Sequence, residues 1–221
     1  MAALPEEIIK QKIIDQLTWD DSVNANDVQV EVQESTVQLK GTVPNYTAKL
    51  AAERDALNVP GVMNLESFLK VEFPPRITLP DDAEISRNIK SMLTLNTRVN
   101  AINIDVTTSD GIVTLSGTAD SYWEKYEAED VANTALGVVE VINKIVAKPV
   151  KSVIDKEIEA DIKKAYERSS LIDESKIEVY VKNGVAHLTG VAENALIKNE
   201  AFNKALYTTG VVDVIDEITI A

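Results

Sequence analysis

Hydrophobic residues recur along the chain in two alternating rhythms. Apolar side chains at a spacing of four, which share one face of a helix, occur three times: Ile9, Ile13 and Leu17; Ile85, Ile89 and Leu93; Ile158, Ile162 and Tyr166. A period of two, typical of a half-buried strand, follows each group: Val28–Val32, Ile102–Val106 and Ile177–Val181. The pattern therefore predicts three copies of a helix followed by a strand.

A second strand follows in each copy and contains a glycine. The three versions are VQLKGTV (37–43), VTLSGTA (113–119) and AHLTGVA (186–192). Asp110-Gly111 and Asn183-Gly184 precede two of them and favour tight hairpins, because both central positions of such a turn need positive φ. Glu34-Ser35 occupies the same place in the first copy and favours the turn less. We expect the glycine to end the strand and to mark the turn into a second helix.

A second helix and a third strand complete each copy. Alanines at a spacing of four form a stripe of small residues that would let this helix lie close to a sheet: Ala52 and Ala56; Ala128 and Ala132; Ala201 and Ala205. A second glycine is the predicted helix stop, and an apolar strand follows it. The six glycines with predicted structural roles are Gly41, Gly61, Gly117, Gly137, Gly190 and Gly210.

The repeat defines the fold class. The element order is αββαβ, which predicts an α+β protein of three tandem two-layer domains. Each would have two helices packed on one face of a three-stranded mixed sheet. Prolines suit linkers, and those near the ends of the copies are Pro74, Pro75, Pro80 and Pro149. The predicted domains are therefore residues 1–73, 77–148 and 150–221.

Charge and composition exclude several classes of function. The net charge is −14, and it divides as about −5, −5 and −4 among the three copies. Without a basic stripe to neutralise phosphates, nucleic-acid binding is not expected, and attraction to an anionic membrane is disfavoured. The absence of cysteine excludes disulfides and cysteine-ligated zinc.

The first residues carry no signal-peptide pattern, and no apolar run is long enough to span a bilayer. The sequence therefore predicts a cytoplasmic protein if it is full length. If a leader was removed, a periplasmic location remains open. No transmembrane segment is expected in either case, and the oligomeric state stays open.

No residue pattern indicates catalysis. His187 is the one histidine; it aligns with Gln38 and Thr114, which favours a surface strand residue over a catalytic base. The acidic pairs Asp20-Asp21 and Asp81-Asp82 are interpreted as loop and helix-end charges rather than calcium ligands. We expect no enzyme activity, no catalytic residue, no metal site and no cofactor.

Aromatic residues distinguish the copies from one another. Tyr122, Trp123 and Tyr126 cluster at the start of one second helix. Such rings suit a membrane interface or a partner surface, but packing against a neighbouring copy is the simpler interpretation. Trp19 occurs in the first copy alone, and we expect it to pack in the core or between domains.

The repeated unit resembles the BON domain, named for bacterial osmotically induced and nodulation proteins. The likeness rests on the Leu-x-Gly of the second strand and on the Gly-Val before the third, whose positions are Leu39-Gly41, Leu115-Gly117, Leu188-Gly190, Gly61-Val62, Gly137-Val138 and Gly210-Val211. Together the three copies cover nearly the whole chain.

The resemblance implies a non-catalytic binding module of the bacterial envelope or of the osmotic stress response, contacting phospholipid. Two alternatives remain open. Three repeated units could form a protein-interaction scaffold, or a cytoplasmic sensor of potassium or another small ligand. The resemblance carries no set of binding residues to this chain.

Overall fold

The structure is a computed structural model that describes residues 5–148 and 153–220. In the part of the chain that it describes, three domains follow one another, and each has the order αββαβ. The predicted α+β class and the arrangement of two helices on a three-stranded mixed sheet are confirmed. Pro149 and the first residues of the predicted third domain lie outside the described residues.

The first domain sets the pattern for the other two. Its elements are α1 (Glu6–Trp19), β1 (Val28–Gln33), β2 (Thr36–Val43), α2 (Tyr46–Leu57) and β3 (Asn64–Val71). Strand β2 lies in the middle of the sheet; it pairs with β1 antiparallel and with β3 parallel. Helix α1 packs on β1, α2 packs on β2 and β3, and the two helices contact each other. Both helices therefore cover the same face of the sheet.

The second domain differs from the first in its last strand. Its elements are α3 (Asp82–Leu95), β4 (Ile104–Ser109), β5 (Ile112–Ala119), α4 (Tyr122–Asn133), β6 (Glu140–Asn143) and β7 (Val146–Ala147). Both β6 and β7 pair with β5 in parallel. The amide of Asn143 interrupts the strand, because its Oδ1 accepts a hydrogen bond from Ile145 N–H (3.1 Å) and its Nδ2 donates to the Lys125 carbonyl (2.9 Å).

The third domain returns to the continuous pattern. Its elements are α5 (Asp155–Glu167), β8 (Ile177–Lys182), β9 (Val185–Ala192), α6 (Ala195–Leu206) and β10 (Asp213–Ile220). Strand β9 is central, antiparallel to β8 and parallel to β10.

Each domain encloses its own hydrophobic core. The three cores are built from equivalent positions of the repeat. The alanines of the second helices contribute to them, and six are fully buried as the small-residue stripe predicts: Ala52, Ala56, Ala128, Ala132, Ala201 and Ala205. A small side chain at these places lets the helix lie against the sheet without a void.

An acidic residue in the first turn of each first helix holds the hairpin between the first two strands. The carboxylate of Asp82 accepts hydrogen bonds from the backbone N–H groups of Asp110 (2.9 Å) and Gly111 (3.0 Å). In the third domain, Asp155 accepts the equivalent hydrogen bonds from the N–H groups of Asn183 and Gly184, both at 2.8 Å. In the first domain, Glu6 accepts one from Glu34 N–H at 3.0 Å. These acids therefore fasten the hairpin as well as suiting the helix dipole.

The glycine of the second strand does not end that strand, contrary to the prediction. Gly117 lies inside β5, opposite Ile104 of β4, and the strand continues to Ala119. Its φ is +107°, and a Cβ there would lie 1.9 Å from the carbonyl oxygen of Asn103. Gly41 and Gly190 meet the same obstruction, at 2.0 Å. The glycine is needed because a neighbouring backbone carbonyl occupies the place of a side chain.

The second glycine does not stop the second helix either. Helix α4 ends at Asn133, and Gly137 follows in the turn towards β6 with a φ of +92°. A Cβ on Gly137 would lie 2.7 Å from Cδ1 of Ile85 in α3. Gly210 stands in the same relation to Ile158 of α5, at 2.9 Å. These glycines let the first helix approach the turn closely.

Candidate functional site

The aromatic cluster of the second domain faces the third domain. The Trp123 ring lies 6.0 Å from that of Tyr207, and the Tyr126 ring lies 6.1 Å from that of Phe202. The guanidinium of Arg98 covers the Trp123 ring at 4.9 Å. A membrane or partner contact by Tyr122, Trp123 and Tyr126 stays a prediction, and these neighbours give the rings a second role between domains.

Tyr122 contacts the third domain through both its side chain and its backbone. It packs against the core of the third domain, and its backbone N–H donates to the Val211 carbonyl at 3.4 Å. Burial, together with the nearby carboxylate of Asp213, raises the pKa of the Tyr122 hydroxyl to about 12. The ring thus fills the space between its own helix, α4, and the start of β10.

Tyr46 performs the same task between the first and second domains. It aligns with Tyr122 in the repeat and is also the first residue of its helix, α2. The side chain packs against the core of the second domain. Burial raises the pKa of its hydroxyl, although a backbone hydrogen bond with Val141 opposes the rise. The alignment of the two tyrosines was the sequence signal for this contact, although a single copy gave no hint of it.

Ala195 stands at the same position in the third domain, as the first residue of α6. A cavity of about 530 Å³ lies there, between the third domain and the first. Ala195 lines the cavity together with Val62 and Asn64, which precede and begin β3. The three domains therefore contact one another head to tail, with the start of each second helix against the start of the next domain's third strand.

A groove at the centre of this arrangement is lined by all three second helices. It measures about 730 Å³ and includes equivalent positions of the repeat: Leu50, Tyr126 and Asn199; Arg54, Asp130 and Asn203. Burial and the neighbouring carboxylates of Glu127 and Glu129 raise the pKa of Asp130. The three second helices therefore line this groove through corresponding residues of the repeat.

Three large apolar side chains project into solvent at the ends of two first helices and in the segment after one of them. Trp19 is 85% exposed, Leu95 is 82% exposed and Ile102 is 85% exposed. The prediction that Trp19 packs in the core or between domains is therefore wrong. The placement of Ile102 in a strand is also wrong, because this residue lies in a short 3₁₀ turn, Ala101–Asn103, just before β4. Helical periodicity ends before these residues, so it did not constrain them.

His187 lies on the outer face of the third sheet, in β9. Its ring stacks on that of Tyr180, its cross-strand partner, at 4.4 Å with an angle of 4° between the planes. A half-buried ring stacked in this way fits the expected surface strand residue. Within residues 5–148 and 153–220, no group of three or more His, Asp or Glu side chains could hold a metal ion.

Three of the four carboxylates in the acidic pairs accept hydrogen bonds from nearby backbone groups. Asp81 Oδ1 accepts the Glu84 N–H at 2.7 Å and caps α3, while Asp82 binds the hairpin described above. Asp20 accepts hydrogen bonds from the backbone and side chain of Ser22, which lower the pKa of its carboxyl. These bonds account for Asp81, Asp82 and Asp20 without a cation.

Three segments of the chain match the BON domain: residues 5–72, 81–149 and 154–221. The chain belongs to the BON-domain family. Osmotically-inducible protein Y of Escherichia coli (strain K12) is 28% identical over 148 residues, which cover 66% of this chain and 74% of that protein. An uncharacterised protein of Anaplasma centrale, encoded in the gshII 5′ region, is 29% identical over 119 residues, covering 52% of this chain and 78% of that one.

Among solved structures, the C-terminal domain of CdsD, a structural protein of the type III secretion system of Chlamydia trachomatis, is similar at a TM-score of 0.27 and 15% identity. The alignment covers 99% of this chain and all of that one. None of the described helices is both long and apolar enough to cross a bilayer. The family assignment rests on the three sequence matches.

Proposed function

We propose that this BON-domain protein is a non-catalytic binding module of the bacterial envelope or osmotic stress response that contacts phospholipid membranes. The observation that carries the proposal is the exposure of Trp19, Leu95 and Ile102. Large apolar side chains that are exposed together mark a surface that binds something apolar. Family membership and the likeness to osmotically-inducible protein Y support the cellular setting.

We propose that these side chains form one surface, because two of them occupy the same position of the repeat. Trp19 and Leu95 are equivalent residues, each the last of its first helix. Ile102 lies in the segment that follows Leu95, and the third domain adds Leu171, which is 45% exposed, from its corresponding segment.

The charge of this surface selects the kind of lipid. Burial of a large apolar side chain contributes about 1.5–3 kcal/mol, so three together supply a reversible attachment. Asp20 and Asp21 follow Trp19 directly, and the net charge of the chain is −14. Repulsion would weaken binding to anionic lipid, whereas the ring of Trp19 suits the interface of a zwitterionic bilayer.

Co-sedimentation with phosphatidylcholine vesicles tests the proposal. We expect the parent chain to sediment with them, and to sediment less when phosphatidylglycerol replaces half of the lipid at low salt. Trp19→Ser, Leu95→Ser and Ile102→Ser combined should abolish sedimentation, because they remove the inserted side chains.

A control variant replaces three other exposed apolar residues, whose exposed fractions are 55–62%: Phe68→Ser, Ile154→Ser and Leu196→Ser. This variant should sediment like the parent. Equal loss in both triple variants, or no binding of the parent chain to either vesicle, would remove the proposal.

A further inference from the structure

The three domain interfaces share one contact and differ in the residue that makes it. In two interfaces the first residue of a second helix is a tyrosine that enters the neighbouring domain, Tyr46 or Tyr122. In the third interface this position is Ala195. The cavity of about 530 Å³ lies beside Ala195, at the interface where no tyrosine enters.

The two tyrosines show what chemistry fits such an interface. The Tyr122 ring packs against apolar residues of the third domain, while its hydroxyl is within reach of the Asp213 carboxylate. Tyr46 packs in the same way on the second domain. An uncharged aromatic ring with a hydroxyl at its far end is therefore the group that this kind of junction accommodates.

The cavity at the third interface keeps both features of the tyrosine sites. Apolar walls come from Leu57 and Val62 of the first domain and from Ile218 of the third. At the place of Asp213 stands Asn64, whose neutral amide oxygen can accept a hydrogen bond from a hydroxyl group. The volume is within the range of roughly 300–1,000 Å³ of small-molecule pockets.

The cations at this cavity are already engaged. Lys198 Nζ donates to the Ile218 carbonyl at 2.7 Å and lies 3.5 Å from the Asp216 carboxylate. Arg54 lies 3.5 Å from the carboxylates of both Asp20 and Asp55. Their charges are balanced within the protein, which favours a neutral ligand over an anion.

We propose that the junction of the first and third domains is a binding site for a small neutral phenolic compound. Its ring takes the place that the tyrosine ring has in the other two interfaces, against Ala195 and Val62. Its hydroxyl donates a hydrogen bond to Oδ1 of Asn64. This site is separate from the proposed membrane surface and does not depend on it.

Titration with p-cresol, the side-chain analogue of tyrosine, tests the site by ¹⁵N NMR of the full chain. We expect saturable shifts of the amides of Ala195, Val62 and Asn64. Ala195→Tyr should weaken p-cresol binding by about tenfold or more, because the new ring fills the cavity. The matched control Leu196→Tyr, which puts the same ring one residue on at an exposed position, should bind like the parent.

The opposite change should create a second site. Tyr122→Ala removes the ring that fills the space between the second and third domains. We therefore expect p-cresol to restore part of the lost thermal stability and to shift the amide resonance of Val211. The proposal is overturned if p-cresol causes no saturable shifts in the parent chain, or shifts away from this junction. Unchanged binding in a folded Ala195→Tyr variant would overturn it equally. If Ala195→Tyr does not fold, the location of the parent's shifts decides.

Discussion

Single residues in this chain carry constraints that composition does not reveal. The strand glycines were found by repetition alone, and repetition correctly marked them as special. Their cause lies in the backbone of another strand, because the carbonyl of Asn103 occupies the space beside Gly117. A sequence shows which residue recurs but not which atom lies next to it. Repetition therefore marks the glycine as special, but the prediction that the strand ends there is wrong.

Replacing Gly117 should be costly. In Gly117→Ala the Cβ would meet the Asn103 oxygen at 1.9 Å at a φ of +107°, and a non-glycine residue in such a conformation costs about 1–3 kcal/mol before any clash. We expect the free energy of unfolding in urea to fall by at least about 2 kcal/mol. Ser116→Ala, the preceding strand residue, is the control and should change it by less than about 0.5 kcal/mol.

Asp55 is a buried carboxylate in an otherwise apolar helix face. The residue is 5% exposed, and within the described residues its Oδ2 has no hydrogen-bond partner. Burial raises the pKa of this carboxyl, although Arg54 opposes the rise and Asp20 adds to it. The folded state therefore binds a proton more readily than the unfolded state, and the stability contributed by Asp55 falls as the pH rises through the folded pKa.

Asp55→Asn should stabilise the protein at neutral pH. The amide is uncharged, and its N–H can donate to the Asp20 carboxylate, so we expect a gain of about 1 kcal/mol in urea unfolding at pH 7. The gain should vanish below the unfolded pKa of about 3.9, where Asp55 is protonated in both states. Asp21→Asn removes one negative charge nearby without burial and should show no such gain; an equal gain there would mean that net charge is the cause.

At the scale of elements, periodicity predicted most of the fold. Helices, strands and their order followed from spacings of four and two, because each element buries one face against a single sheet. The interruption between β6 and β7 was not predictable, since it depends on side-chain hydrogen bonds of Asn143 to the preceding helix, α4, which the apolar pattern does not show. The exposed Ile102 was misplaced because one apolar residue continued the alternation by chance.

The contact between a first helix and the hairpin is a repeated device whose strength can be measured. In Asp155→Ala the N–H groups of Asn183 and Gly184 lose a charged acceptor at 2.8 Å. We expect a loss of about 1–3 kcal/mol of unfolding free energy, with faster hydrogen exchange at these two amides.

Asp161→Ala is the matched control on the same helix. It removes an exposed ion pair with Lys164 at 3.1 Å, which contributes a few tenths of a kcal/mol at most. If Asp155→Ala were no more destabilising than this control, the hairpin bonds would not contribute to stability.

At the scale of the whole molecule, the repeat predicts identical domains but not their arrangement. Tyr46, Tyr122 and Ala195 occupy one position of the pattern, and only the structure places that position between domains. The candidate membrane surface is not predictable from the sequence for the same reason. Trp19 is a lone apolar residue in the pattern, and its exposure follows from the arrangement of the domains, none of which covers it. The aromatic cluster was noticed because it broke the repeat.

The chain contains two tryptophans, which can report separately on the two candidate contact surfaces. Trp123→Phe leaves Trp19 as the fluorophore at the proposed membrane surface, and Trp19→Phe leaves Trp123 at the junction with Tyr207. Each variant would be mixed with phosphatidylcholine vesicles whose acyl chains carry bromine, a quencher that acts at short range. The account predicts strong quenching and a blue shift of Trp19 emission, with Trp123 emission unchanged. Quenching of Trp123 while Trp19 stays unaffected, or quenching of neither, would contradict it.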